Sequence, residues 1–255
     1  MSFKRKIIIK DDPILLAKQA AEIFVASAIR SVNKRGRFSV AISGGSTFRV
    51  MHKRLAREPY VLNIPWGKIH IFWVDERCVS QDSHKSNYGT AKRDFINKVP
   101  ISKTHVHFIE CESSPEISVK EYQKILRDFF SFERTRIPRF DLIYLGMGVD
   151  GHIGSLFPGQ KTLSEKEKLV VAVKGGDPRV NRISMTLPLL NQARHIVFLI
   201  TGEEKANTVQ AVLEGKKLRL PAQKIGPPNG RLTWLLDRGA ASLLSEDLNP
   251  DKVNG

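Results

Sequence analysis

The chain has 255 residues, 41 % of them hydrophobic, and strand-like and helix-like stretches alternate almost throughout; this favours one α/β domain over residues 1–255, with a frayed polar tail at 245–255. A formal charge of +15 points to anionic partners, yet the basic residues are scattered, with small clusters at Lys4-Arg5-Lys6, Lys34-Arg35-Gly36-Arg37 and Lys216-Lys217, and no aromatic–basic motif of an RNA-binding sheet occurs. The charge is therefore read as a solvated surface that steers a small anionic substrate; a nucleic-acid partner is not expected, and with no stretch long enough to span a bilayer neither is a membrane.

The two cysteines, Cys78 and Cys111, have neither metal-ligand spacing nor a disulfide framework, so a reducing cytoplasm is the expected compartment. Ile7-Ile8-Ile9 is too short for a signal-peptide core and reads as an edge strand. Asp12-Pro13 then starts a helix that carries Leu16, Ala20, Ile23 and Phe24 at helical spacing to about residue 32, and Gly36 ends it.

Residues 38–42 are an apolar strand that runs into Ser43-Gly44-Gly45-Ser46-Thr47 and a helix. Strand, Gly/Ser loop and helix make a phosphate cradle: the glycines expose backbone N–H groups, the hydroxyls add donors, and the helix start favours negative charge. The same residues would also serve as a tight turn with a hydroxyl cap. The double glycine with three hydroxyls favours anion binding, although the loop is neither a Walker A sequence nor a dinucleotide fingerprint.

A strand at 69–74 ends in Asp75-Glu76-Arg77, which offers a carboxylate and a guanidinium fork suited to phosphate or carboxylate. Ser86 and Asn87 start a helix at about 87–95 and are placed to bond a ligand. A strand at 105–109 follows, then an amphipathic helix at 116–132 whose Ile117, Tyr122, Ile125, Leu126 and Phe129 face the sheet.

The chain is organised around residues 141–158, DLIYLGMGVDGHIGSLFP. An apolar strand breaks at Gly146 and Gly148, and Asp150 and His152 sit among the glycines. Open α/β sheets place ligands at the carboxyl ends of strands, and an imidazole beside a carboxylate is a general base near neutral pH. Alone, Asp150-Gly151-His152 is better read as a turn with a satisfied loop histidine; the other loops supply the complementary chemistry that moves the balance.

Beyond it, residues 163–168 read as a linker or short helix, 169–173 as a strand, Gly175-Gly176-Asp177-Pro178 as a turn and 182–186 as a strand opened by Arg182. A short helix at 187–193 precedes a buried strand at 195–200 that ends in Thr201-Gly202-Glu203-Glu204-Lys205. Lys205 falls in the first turn of the next helix, where a cation opposes the dipole, a hint of function. Residues 215–230 read as a loop and 232–236 as a last strand or helix.

Taken in order, SGGST at 43–47, DER at 75–77, SN at 86–87, GMGVDGH at 146–152, RISMTLP at 182–188, TGEEK at 201–205, LPAQKI at 220–225 and LTWLLD at 232–237 resemble the 6-phosphogluconolactonase family. That family is similar in fold to the glucosamine-6-phosphate isomerases, which share the glycine loop and the DGH element but typically have a glutamate just before the proline; here Phe157 precedes Pro158. Ile153-Gly154 stands where many lactonases have threonine and alanine.

The resemblance implies a Rossmann-like open, mostly parallel sheet with helices on both faces. It also implies hydrolysis of 6-phospho-D-glucono-1,5-lactone to 6-phosphogluconate in the oxidative pentose phosphate pathway. In that reading His152 is the base, and Asp150 orients it or holds a substrate hydroxyl. The loop Ser43, Gly44, Gly45, Ser46 and Thr47, with Arg77, Arg182 and Lys205, holds the phosphate, and one of the three cations serves the oxyanion instead. Asp75 meets sugar hydroxyls, and Ser86, Asn87 and Gly148 complete the binding set. No G-x-S-x-G elbow occurs, so no acyl-enzyme is expected, and nothing asks for a metal or cofactor. The competing readings are an isomerase, which Phe157 argues against, and a sugar-phosphate sensor, whose DNA-binding module would not fit in residues 1–36.

Overall fold

A computed structural model describes residues 4–111, 114–130, 137–176, 179–215 and 219–248. Lys216-Lys217, Asp177-Pro178, residues 131–132 of the expected helix and residues 249–255 of the tail lie outside the described residues. In order, the chain lays down β1 (Lys4–Lys10), α1 (Pro13–Arg35), β2 (Phe38–Ile42), α2 (Ser46–Leu55), α3 (Tyr60–Asn63), β3 (Ile69–Trp73), β4 (Asp75–Arg77), α4 (Asn87–Asp94), β5 (Val106–His107), α5 (Pro115–Phe130), β6 (Leu142–Leu145), β7 (Val170–Gly175), β8 (Val180–Met185), α6 (Leu187–Asn191), β9 (His195–Ile200), α7 (Ala206–Leu213), β10 (Arg231–Asp237) and α8 (Arg238–Ala241).

Seven strands make one sheet in the order β1-β10-β9-β6-β2-β3-β5, and every pairing in it is parallel. The central strands β2, β6 and β9 are buried at every position, as a sheet covered on both faces requires, which is why they read as largely apolar stretches. β10 settles the ambiguous 232–236 stretch as a strand, because it lies between β1 and β9 and pairs with both. No helix among the described residues is long and apolar enough to cross a membrane.

A second, three-stranded antiparallel sheet, β4-β8-β7, joins the carboxyl edge of the first. β4 leaves β3 after one residue, Val74, whose N–H and C=O bond Ile42 and Met185 and so connect the two sheets. The Asp75-Glu76-Arg77 cluster is thus a strand in its own right.

The amino edge is tied by one buried carboxylate. Asp141 accepts from the N–H and hydroxyl of Ser39 at 3.0 and 3.2 Å and pairs with Arg35 at 2.7 Å and Arg194 at 3.3 Å. It links the end of α1 to the starts of β2, β6 and β9. Asp12 caps α1 by accepting from the N–H groups of Ile14 and Leu15, and Gly36 closes it in the left-handed region at φ 75°.

The cysteines depart from the sequence reading. Cys78 and Cys111 form a disulfide, with Cα atoms 4.7 Å apart. β3 and β5 are neighbours and run parallel, so the segments leaving their carboxyl ends emerge side by side, and each carries one cysteine. Two cysteines 33 residues apart have no framework spacing, so the pairing was invisible to the sequence. The bond also removes the cysteine argument for a reducing compartment.

Four histidines are held neutral by the core. Burial lowers His52 to about 4, and its ring stacks on Phe95 with centroids 4.6 Å apart. Burial likewise lowers His195 and His107 to about 4 and His70, which His105, His107 and Arg37 also face, to about 3. A depressed histidine leaves the unfolded chain the better proton acceptor between the two pKa values, so stability is full above the ordinary value of 6.5 and falls as pH drops toward 4. Denaturant unfolding at pH 7 and pH 5 checks this: the loss of stability between the two is smaller in His52→Leu than in the wild type by about 1–2 kcal/mol.

Candidate active site

Because β9, β6, β2 and β3 are consecutive in the sheet, their carboxyl ends meet at one place, a cleft of about 220 Å³. Gly146, Met147 and Gly148 after β6 form its floor, the 43–47 loop one wall, and Asp75 and Arg77 of β4 with Arg182 of β8 another; Asn87 and Lys205 complete the polar lining. Of the residues singled out in the sequence, Asp150 and Ser86 do not line the cleft. Each stands behind a residue that does.

His152 Nδ1 is 2.6 Å from Asp150 Oδ1, and the same oxygen accepts the His152 backbone N–H at 3.1 Å. The loop closes on itself through Gly148 N–H to His152 C=O at 3.0 Å and Gly151 N–H to Gly148 C=O at 2.9 Å. Gly148 is required here by close approach: a Cβ would run into the imidazole and the Asp150 carboxylate. With Nδ1 donating to the carboxylate, Nε2 is the ring atom left to accept a proton. The His152 side chain is 32 % exposed, open enough for solvent to reach it.

In the 43–47 loop the hydroxyls divide. Ser43 donates to Tyr144 C=O at 2.9 Å and Thr47 bonds Thr201 at 2.8 Å, which fixes the loop to β6 and to the end of β9. Ser46 is exposed at the start of α2, and no side chain caps that helix, so its first N–H groups face the cleft region without an internal acceptor. Gly44 packs against the Asn87 carboxamide where no side chain could fit.

Arg77 and Arg182 sit directly opposite each other across the antiparallel pair of β4 and β8. Like charges directly opposite each other across strands are unfavourable in themselves. Arg77 donates to Lys85 C=O and Asn87 Oδ1, each at 2.8 Å, and Arg182 Nε to Gly175 C=O at 2.8 Å. Lys205 stands at the N-cap of α7, after a tight turn over Glu203–Lys205; burial lowers its ammonium against the pull of Glu204 and Asp237. Asp75, buried, accepts from Ser155 Oγ at 2.7 Å and keeps its backbone C=O on Asn87 Nδ2 at 2.9 Å. No group of His, Cys, Asp and Glu able to hold a metal occurs among the described residues.

Two residues that hold the cleft together were not singled out in the sequence as part of the site. Ser155 is one. Glu76 is the other: its carboxylate accepts from Arg77 N–H and Asn87 N–H at 2.8 Å, Tyr88 N–H at 2.7 Å and Ser86 Oγ at 3.1 Å. Burial pushes this carboxyl up, and the three backbone N–H groups oppose that. Strand alternation is the signal: with Asp75 and Arg77 on one face, Glu76 points to the other, toward the start of α4.

The sequence pattern described as glucosamine-6-phosphate isomerases/6-phosphogluconolactonase matches residues 11–234. The chain is 36 % identical over 249 residues to a probable 6-phosphogluconolactonase 3, chloroplastic, of Oryza sativa, covering 94 % of this chain and 76 % of that one. It is 35 % identical over 248 residues to 6-phosphogluconolactonase 3, chloroplastic, of Arabidopsis thaliana, with the same coverage of 94 % and 76 %. Among solved structures, the 6-phosphogluconolactonase of Trypanosoma brucei superposes with a TM-score of 0.86 at 26 % identity, covering 96 % of this chain and all of that one.

The Glu76 contacts yield an expected outcome. Glu76→Gln replaces an acceptor oxygen with a donor facing N–H groups, which loosens the start of α4 and with it Asn87 and Arg77. Steady-state kinetics will show kcat/KM lower by about tenfold or more, with a lower melting temperature.

Proposed function

The chain belongs to the glucosamine-6-phosphate isomerase/6-phosphogluconolactonase family, and on that premise we propose how its cleft carries out the hydrolysis of 6-phospho-D-glucono-1,5-lactone to 6-phosphogluconate. The protein is an enzyme of the 6-phosphogluconolactonase type, acting in the pentose phosphate pathway. The observation that carries the residue assignment is the His152–Asp150 pair, 2.6 Å apart, in a cleft that also holds the Arg77–Arg182 pair.

A lactone is an activated ester, so its hydrolysis needs a deprotonated water, a stabilised oxyanion and a proton for the leaving oxygen. His152 Nε2 takes a proton from water as the water oxygen attacks the lactone carbonyl carbon. The resulting imidazolium is stabilised by the Asp150 carboxylate. When the tetrahedral intermediate collapses, the bond to the ring oxygen breaks and the imidazolium returns its proton to that oxygen. Water has then been added across the ester, and the base is regenerated with no acyl-enzyme.

The phosphate dianion rests on the open first turn of α2, Ser46 and the cationic wall of Arg77 and Arg182. Lys205 faces the developing oxyanion. Asp75, held by Ser155 and Asn87, meets sugar hydroxyls. Phe157 offers no proton-transferring group where the isomerases use a glutamate, which favours hydrolysis over ring opening and deamination. The basic surface steers this dianionic substrate, and neither nucleic acid nor membrane is needed to account for it.

The test is proton release from freshly made 6-phosphogluconolactone against the spontaneous rate, with ammonia release from glucosamine-6-phosphate in parallel. Fast lactone loss without ammonia is expected. Ammonia would establish the isomerase reading, and tight sugar-phosphate binding with neither activity a sensor. His152→Ala lowers kcat by about 10²–10⁴-fold while 6-phosphogluconate still binds, measured by calorimetry; near-normal hydrolysis by this variant would refute the assigned base.

A further inference from the structure

Phe157 takes no part in the chemistry described above, yet its ring lies between two groups that do. The imidazole of His152 packs on it with ring centroids 4.8 Å apart at an interplanar angle of 50°. The guanidinium carbon of Arg182 lies 5.7 Å from the same ring's centroid. Behind the ring run Gly175 and Gly176 at the end of β7, where a Cβ would press on the ring at 3.1 and 2.9 Å. The ring is thus packed against main chain at Gly175 and Gly176 and lies beside both the cleft's base and one of its cations.

The turn that carries Phe157 is itself fixed. Leu156 N–H donates to Ile153 C=O at 2.8 Å, and Ser155 is anchored at both ends: its N–H donates to Ser184 Oγ at 3.2 Å and its hydroxyl to Asp75 at 2.7 Å. Five residues after His152, the chain therefore returns an aromatic ring to the imidazole at a set distance. The hydrogen bond to Asp150 fixes one atom of the imidazole and leaves rotation about it open; a ring contact closes that freedom. Arg182 donates Nε to Gly175 C=O at 2.8 Å while its guanidinium carbon lies over the same ring. Both groups are cationic at some stage of turnover, and the negative face of an aromatic ring attracts a cation without competing as a proton acceptor.

We propose that Phe157 is a positioning residue of the hydrolase: one aromatic ring sets the place of both the His152 imidazole and the Arg182 guanidinium. The assignment rests on the lactonase reading. A filler of the core would need only volume there; a positioning residue needs its π face.

Phe157→Leu keeps most of the apolar volume and removes the face, and Phe157→Met serves if the leucine variant does not fold. In the folded variant kcat is expected to fall by about tenfold or more, with a displaced pH profile of kcat. Calorimetry with 6-phosphogluconate is expected to show weaker binding than the wild type, and that loss disappears in an Arg182→Ala background, where the ring no longer has a guanidinium to support. A lower melting temperature with kcat, its pH profile and product binding unchanged would overturn the proposal and leave Phe157 a core residue. Equal losses of product binding with and without Arg182 would overturn the link to that residue. Should the wild type itself fail to hydrolyse the lactone, the functional reading falls and the proposal with it, an outcome separable from a defect seen in the variant alone.

Discussion

Parallel pairing in the large sheet is the constraint from which the site follows. When β9, β6, β2 and β3 run the same way and neighbour one another, every loop that leaves a carboxyl end is delivered to the same edge. Residues from four parts of the chain far apart in sequence then share a cleft with no need for long loops. The opposite edge shows what the arrangement requires in return. There the strand starts and the end of α1 bring arginines together, and one buried carboxylate, Asp141, holds Arg35 and Arg194 in place.

The small antiparallel sheet adds what a parallel sheet cannot. β4 turns out of β3 after a single residue, and its pairing with β8 sets Arg77 against Arg182. Two guanidiniums in adjacent register repel, and the surrounding groups accept that repulsion by giving each a fixed hydrogen-bond partner: Asn87 and Lys85 for Arg77, Gly175 for Arg182. In the proposed function a dianion bound at this pair replaces repulsion with attraction, and the existing hydrogen bonds lower what it costs to order the side chains. Glu76 underlies the arrangement from the far face of β4, where it acts on the start of α4 much as a capping carboxylate does.

Much of this was legible in the sequence because the signals were local. Largely apolar runs announced β2, β6 and β9, and the glycines, hydroxyls and charges at their ends announced the site loops. Asp12-Pro13 and Gly36 bounded α1, which runs to Arg35 against an expected end near residue 32. The strand expected at 105–109 is only Val106–His107, and a single turn of tight helix, Lys161–Ser164, overlaps only the start of the 163–168 stretch, both short enough for tertiary contacts to set their limits. What the sequence withheld were pairings between distant segments: Cys78 with Cys111, β4 with β8, Ser155 with Asp75. Phe157 was legible only as the lack of a carboxylate; that its ring touches His152 and Arg182 depends on a turn whose geometry no spacing rule records.

The position of β1 has a consequence for how the chain comes to be folded at all. Among the described residues this first strand pairs only with β10, Lys4 in register with Arg231 and Lys10 with Asp237. During synthesis β1 is made before β10 and waits while all the elements between them are laid down, since its partner strand does not yet exist. Closing so long a loop is slow, although the entropic penalty grows only with the logarithm of its length. The three consecutive isoleucines of β1 are open to other partners for that interval, and the charges that flank them, Arg5, Lys6 and Lys10, discourage such a strand from pairing with another chain before its own is ready.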